Sequence, residues 1–194
     1  MPKVVDHEER RNSIARAAML EIADKGIEDL RLKDVAARAG WTTGVLTHYF
    51  KSKEELLSEA LKVTFREIVG EAVAEAQDDD HSGYELMRRW LPSFPGRLMV
   101  SKAWIAFGGS AQFSSANRAL FAEYYRLMAQ EGRRRLQGVP LGIDVEVAVD
   151  MSLAFFDGLC TRVIMEPDAW PPERQEALLE NFISRVLQGS DGRV

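Results

Sequence analysis

Four side chains able to exchange hydrogen bonds with a nucleic acid crowd into residues 42–48: Thr42, Thr43, Thr47 and His48. Threonine hydroxyls donate and accept, an imidazole does either, and side chains of this size suit the floor and rim of a DNA major groove. Lys53 follows in the first turn of a later helix, where the dipole alone favours an acid. A phosphate shared with the first amides of that helix accounts for a base there; a solvated lysine is the alternative.

These groups need a scaffold that turns them outward, and residues 32–51 offer one. Val35, Ala36 and Ala39 give a first short helix a small apolar face, and the small Ala36 lets a second helix cross closely. Gly40 supplies a corner that takes φ > 0 without steric cost. Trp41 is expected to pack inward after the turn, and the Thr42 hydroxyl to cap the second helix. Val45, Leu46 and Tyr49 fall at i, i+1 and i+4 and face a core, which leaves Thr42, Thr43, Thr47 and His48 toward solvent. This is the spacing of a helix-turn-helix; a plain helical hairpin in a bundle is the competing reading.

The net charge of −5 looks wrong for a nucleic-acid binder until it is divided. Residues 1–53 hold ten Lys/Arg against eight Asp/Glu, and residues 54–194 hold fifteen against twenty-two. Only the first part can approach phosphate without net repulsion, and it must do so by local placement of its cations. No apolar run reaches the ~18 residues of a membrane span, the N-terminus lacks the apolar core of a signal peptide, and the single Cys160 permits no internal disulfide. A cytoplasmic protein without membrane contact is expected. His7, His48 and His81 have no metal-ligand spacing. No carboxylate pair stands out as acid and base, and no nucleophile elbow or phosphate loop occurs. No metal, no cofactor and no catalytic residue is expected, and an enzyme has no positive support.

The rest of the chain reads as helix. The first helix spans about 6–25, with Asp6 and Glu9 as a capping box, a stripe of Ile14, Ala18 and Ile22, and Gly26 as its stop. Arg10, Arg11 and Arg16 lie off the stripe, as a solvated face or, for Arg10 and Arg11, as contacts to a DNA backbone. Ser52 and Glu55 form a capping box for a long helix to about 77, closed by an acidic turn over 78–83. Helical segments follow at 84–91, 97–113 and 115–137. Gly108-Gly109 reads as a kink or a close approach, and Arg133, Arg134 and Arg135 as complements of a helix dipole. Two last helices span about 144–165 and 172–187, the second opened by Pro171-Pro172, before a polar tail. Their apolar faces are broad enough to require cover from a partner subunit or from within the chain. The fold class is all-α, divided near residue 53.

On Ala36, Ala39-Gly40, Thr43-Gly44, His48-Tyr49-Phe50, Lys53 and Leu56-Leu57, the N-terminal part resembles the DNA-binding head of the TetR family of bacterial regulators. Gly44–Phe50 is similar to the BetI-like branch, as is Phe156-Asp157-Gly158-Leu159. Three positions depart from the family pattern: Arg31 stands where Thr is frequent, Thr47 where Tyr is, and Trp41 where a small aliphatic is. The resemblance implies a helix-turn-helix domain over 1–53 (motif 32–51) and a helical effector-binding and dimerisation domain over 54–194. It implies a homodimer on double-stranded operator DNA, a pseudo-palindrome with half-sites about 34 Å apart, most simply as a repressor released by a small-molecule effector. Thr42, Thr43, Thr47 and His48 would then meet the groove, the Tyr49 hydroxyl would reach phosphate, and Arg31, Lys33 and Lys53 would hold the backbone. Trp90, Met99, Trp104, Phe107, Phe113 and Tyr125 would line an effector pocket or belong to the core. Val149, Phe156, Leu159, Val163, Leu179, Phe182 and Val186 would form the dimer interface. The branch is associated with choline and betaine metabolism, and an aromatic cage suits a quaternary cation. An activator or effector-independent regulator of the same fold, or a helical interaction protein that has lost DNA binding, are the alternatives.

Overall fold

Gly26 takes φ 83° and its amide donates to Ile22 O, which closes the first helix, α1 (His7–Lys25), where an L side chain would be strained. The computed structural model describes residues 7–75, 83–111 and 115–187. Asp6, the 78–82 turn, Phe113, the Val186 side chain and the 189–194 tail fall outside the described residues and side chains. Among the described residues every regular element is helical and none is a strand. Helices α2 (Leu32–Ala39), α3 (Thr43–Tyr49), α4 (Lys53–Glu75), α5 (Gly83–Arg88), α6 (Arg97–Ala111), α7 (Ser115–Leu136), α8 (Val145–Met165) and α9 (Pro172–Phe182) follow α1. A 3-10 turn, Pro167–Ala169, precedes α9, and a π turn, Ile183–Leu187, extends it.

The chain forms two units, residues 1–70 with 99–121, and residues 71–98 with 122–194. In the first, the α1 stripe of Ile14, Ala18 and Ile22 is fully buried with Ala15 and Met19. Val35 and Ala36 of α2, Leu46 and Tyr49 of α3, Leu56, Ala60 and Leu61 of α4, and Ala103 and Phe107 of α6 pack into the same core. Ion pairs add a second attachment of α2 to α1. Glu21, only 5% exposed, accepts from Arg38 Nε at 2.6 Å and pairs with Lys25 at 2.9 Å; Arg38 also pairs with Asp24, and Lys25 with Asp34.

The second unit has smaller cores. Leu91, Leu159, Val163 and Leu179 form one, with Phe155, Phe156 and Trp170 against it. Ala148 and Phe182 form another, where Phe155 stacks on Phe182 at 4.3 Å. Gly132 lets α7 approach α8 closely: a Cβ there would stand 3.2 Å from Val149 Cγ2. Gln175 joins α9 to the chain before α6 by donating to Trp170 O and accepting from Ser93 N–H.

Several expectations are corrected. Trp41 does not pack inward; it is 37% exposed, with the Arg10 guanidinium 5.0 Å from its ring centroid. A cation on the ring face lets a large apolar group stay at the surface. Thr42 is the N-cap of α3 by its backbone carbonyl, but its hydroxyl makes no capping bond. The box at α4 is reciprocal only in part: Ser52 Oγ accepts from Glu55 N–H, while the Glu55 carboxylate reaches back to Lys51 N–H rather than to Ser52. Helix α6 runs unbroken through Gly108-Gly109; a Cβ on Gly108 would meet Phe121 at ordinary distance and one on Gly109 would meet nothing.

Leu46→Ala is expected to destabilise the protein by about 2–5 kcal/mol, because Leu46 is fully buried and its truncation would leave a void beneath α3, while Thr47→Ala changes stability by about 0.5 kcal/mol or less; urea denaturation measures both. Burial alone would raise the Glu21 pKa, but hydrogen bonds from Lys25 and Arg38 outweigh it and hold the carboxyl below its ordinary value of 4.5. The folded pKa is below the unfolded one, so this pairing stabilises above about pH 4.5 and is lost as pH falls through the folded pKa. Glu21→Gln should therefore lower stability at neutral pH and flatten its decline on acidification, read from denaturation midpoints across the acid range.

Candidate nucleic-acid interface

The corner between α2 and α3 is made by Gly40 at φ 75° and ψ 26°, with Trp41 N–H donating to Ala36 O at 2.8 Å. This satisfies the last carbonyls of α2 and turns the chain so that Thr42 O can accept from Val45 and Leu46 N–H to begin α3. Leu46 and Tyr49 are buried and Val45 is half-buried against the same core. The opposite face of this seven-residue helix is thereby turned out, and Thr42, Thr43, Thr47 and His48 are all exposed. Thr47 donates its hydroxyl proton to Gly44 O at 3.0 Å. The His48 ring stands edge-on to Tyr49 at 5.4 Å, and His7 of α1 closes the group at 4.5 Å from Tyr49. Tyr49 itself is 8% exposed, so its ring belongs to the core.

The cations around this face fall into two sets. Arg11, Arg16, Lys25 and Arg38 are all committed to carboxylates of the same unit. Arg31 and Lys33 at the start of α2 are exposed, Lys53 at the start of α4 is half-buried, and none of the three makes an ion pair among the described residues. Arg31 is the N-cap residue of α2, and its side chain makes no capping bond. Arg10, whose guanidinium lies over the Trp41 ring, and Lys51 likewise make no ion pair among the described residues, so the three candidates share this state without being singled out by it. Arg11, read from sequence as a solvated or DNA-facing group, is bound inside: it donates to Tyr49 O at 2.6 Å and to Glu55 Oε1 at 2.8 Å. No local pattern announces a contact between residues 44 positions apart.

The aromatic residues expected to line a pocket do not gather in one cluster. Phe107 is 1% exposed in the core of the first unit, and Met99 packs against that core. Trp104 is buried against Phe65 and Phe121, at 5.6 and 4.5 Å. Trp90 and Tyr125 lie in the second unit. Trp90 faces Phe156 at 6.1 Å and the buried Arg97 guanidinium at 5.3 Å. Tyr125 donates to Asp157 Oδ2 at 2.6 Å; burial first, and then this bond, raise its pKa, and burial does the same to Tyr124 beside it. Arg97, Tyr124, Phe156 and Asp157 are not among the pocket residues expected from sequence; Phe156 and Asp157 carry a signal in the Phe156–Leu159 run, and Arg97 and Tyr124 only in their polar or aromatic character on apolar helices.

The residues expected at a dimer interface are largely spent within the chain. Val149, Leu159, Val163, Leu179 and Phe182 are buried and Phe156 is half-buried. Among the described residues of α8 and α9, the large apolar groups left outside are Val147, Met151, Met165 and Leu178. Val147, Met151, Ala154, Gly158 and Met165 recur at helical spacing along one exposed face of α8. An open groove lined by Ala154, Gly158, Trp170 and Leu178 runs beside it. No helix among the described residues is long and apolar enough to cross a membrane.

A family profile described as bacterial regulatory proteins, tetR family, matches residues 14–60. A second, described as BetI-type transcriptional repressor, C-terminal, matches residues 84–188, more than half of the chain. The transcriptional regulator PksA of Bacillus subtilis is 26% identical over 194 residues, covering 96% of this chain and 94% of that protein. The regulator BetI of Rhizobium meliloti is 27% identical over 197 residues, covering 100% and 97%. A transcriptional regulator from Rhodococcus has a crystal structure that superposes with a TM-score of 0.78 at 25% identity, over 98% of this chain and 100% of that one. A regulator from Saccharomonospora viridis, crystallised in complex with choline, superposes with a TM-score of 0.77 at 21% identity, over 93% and 98%.

Proposed function

The chain belongs to the TetR family of bacterial transcriptional regulators, with a C-terminal part of the BetI repressor type, and on that premise we propose that it is a homodimeric repressor released from its operator by a small molecule. The observation that carries the DNA-reading part is the exposed face of α3. Thr42, Thr43, Thr47 and His48 are exposed there, and Arg31, Lys33 and Lys53, at the starts of α2 and α4, make no ion pair among the described residues. The head ends near residue 53, and the helices after it bind the effector and the partner subunit.

The exposed stripe of Val147, Met151, Ala154, Gly158 and Met165 on α8, with Leu178 of α9, supports dimerisation through the outward face of these helices. The buried set around Leu159 and Leu179 serves the protomer's own core. A two-fold pair of this kind would set two heads on half-sites about one helical turn apart.

For the effector, the second unit offers aromatic rings (Trp90, Tyr124, Tyr125, Phe156) and a carboxylate, Asp157, with the buried Arg97 guanidinium already over the Trp90 ring. Rings and a carboxylate suit an organic cation, and the Saccharomonospora viridis regulator was crystallised with choline. Release requires that the effector bind the DNA-free arrangement more tightly than the DNA-bound one. Choline is therefore the first compound to titrate: absence of binding heat and of any tryptophan-fluorescence change at millimolar choline discards it.

Purified protein should form a sequence-selective, salt-sensitive complex with the DNA upstream of its own gene. Lys53→Gln should weaken binding to all sequences and lower the slope of log affinity against log salt by about one; an unchanged slope removes Lys53 from the interface. Met151→Glu should convert the dimer to monomer in sedimentation equilibrium without loss of helix signal, and a variant that stays dimeric rejects this face.

A further inference from the structure

Helix α3 has seven residues, too few to hold its own shape in water. Its inward face is fixed by Leu46 and Tyr49, and Phe50 just after it is buried in the same core. The last carbonyls of a helix have no partner inside it. In α3 the Tyr49 carbonyl is taken by Arg11 Nη1 of α1 at 2.6 Å. The same guanidinium lies 4.4 Å from the Phe50 ring centroid and donates through Nη2 to Glu55 Oε1 at 2.8 Å, with Glu59 Oε2 at 3.9 Å. The other Glu55 oxygen accepts from Lys51 N–H at 2.8 Å, and the Glu55 amide donates to Ser52 Oγ. One planar fork thus holds the end of α3, the whole 50–52 link and the first turn of α4 to α1.

We propose that Arg11 is a positioning residue for DNA recognition: through its fork to Tyr49 O and Glu55 it sets the angle at which α3 presents Thr43, Thr47 and His48, without itself touching DNA. This rests on the reading of α3 as the DNA-reading helix. A lysine keeps the charge but not the planar geometry that spans both acceptors. A direct phosphate contact by Arg11 makes the opposite predictions. Freeing it from Glu55 would strengthen binding, and removing it would lower the salt slope by about one.

The test uses the full-length protein and DNA fragments selected by the wild type, with Arg11→Lys and Glu55→Gln as the two variants. Both should weaken binding to the selected fragment by about ten- to hundredfold, the loss carried by one charge-assisted hydrogen bond, with the salt slope unchanged and non-specific binding retained. Tighter binding by Glu55→Gln, a slope reduced by about one in a third, charge-removing variant Arg11→Gln, or wild-type affinity in both variants overturns the proposal. A readout without DNA stands beside this. Amide exchange at Lys51, whose N–H is held by Glu55, should quicken about tenfold in Arg11→Lys, while exchange at core amides of α1 stays at its wild-type rate. Unchanged exchange at Lys51 overturns the clamp, and faster exchange throughout the head assigns Arg11 to general stability and overturns it as well. Failure of the wild type to select any fragment strikes the DNA-reading assignment of α3, while the exchange result still decides the clamp.

Discussion

Helices of eight and seven residues, α2 and α3, cannot persist in water by their own hydrogen bonds, so everything at the DNA-reading end depends on the core that holds them. That core is the α1 stripe of Ile14, Ala18 and Ile22, against which Val35, Ala36, Leu46 and Tyr49 close. Small residues matter as much as large ones. Ala15 and Ala18 on α1 and Ala36 on α2 are all buried, and each lets a neighbouring backbone come near. The reach of the core into α4 and α6, through Leu56, Leu61, Ala103 and Phe107, gives two short helices the support of much longer ones.

Charge is organised on the same scaffold. A near-balanced set of cations and anions is a weak field for phosphate, yet the arrangement separates it into groups with different work. Glu21, Asp24 and Asp34 take up Lys25 and Arg38, and Glu55, Glu59 and Glu67 take up Arg11 and Arg16. Six acids of the head are thereby paired where they stand, while Arg31, Lys33 and Lys53 make no ion pair among the described residues. A modest net charge suffices when the anions are consumed internally.

How much of this was legible in the sequence depends on how local the cause was. The corner at Gly40, the stop at Gly26, the α9 start at Pro172 and the inward set Val45, Leu46 and Tyr49 follow from spacing within a turn or two, and the structure has them. Trp41 was misjudged because its cover is a guanidinium from α1, some thirty positions away. The Thr42 hydroxyl and the Glu55 carboxylate had several acceptors or donors within reach, and residue type does not choose among them. The faces of α8 show the same limit differently. Two apolar stripes share that helix, and Leu159 and Val163 of one pack inside against Leu91 and Leu179. The outer stripe carries smaller or more flexible residues, Val147, Met151, Ala154 and Gly158. Which stripe faces out is a tertiary fact, as is the distribution of Trp90, Trp104, Phe107 and Tyr125 over separate clusters.

Thr47 has a consequence of its own. Its hydroxyl has one proton, and that proton is given to the Gly44 carbonyl. What remains for a base edge is a pair of lone pairs and a methyl group. A side chain so committed can accept from the exocyclic amine of adenine or cytosine, or lie against the methyl of thymine, but it has nothing to donate to the O6 and N7 of guanine. On the proposed reading of α3, such a preference would follow from a bond inside the helix.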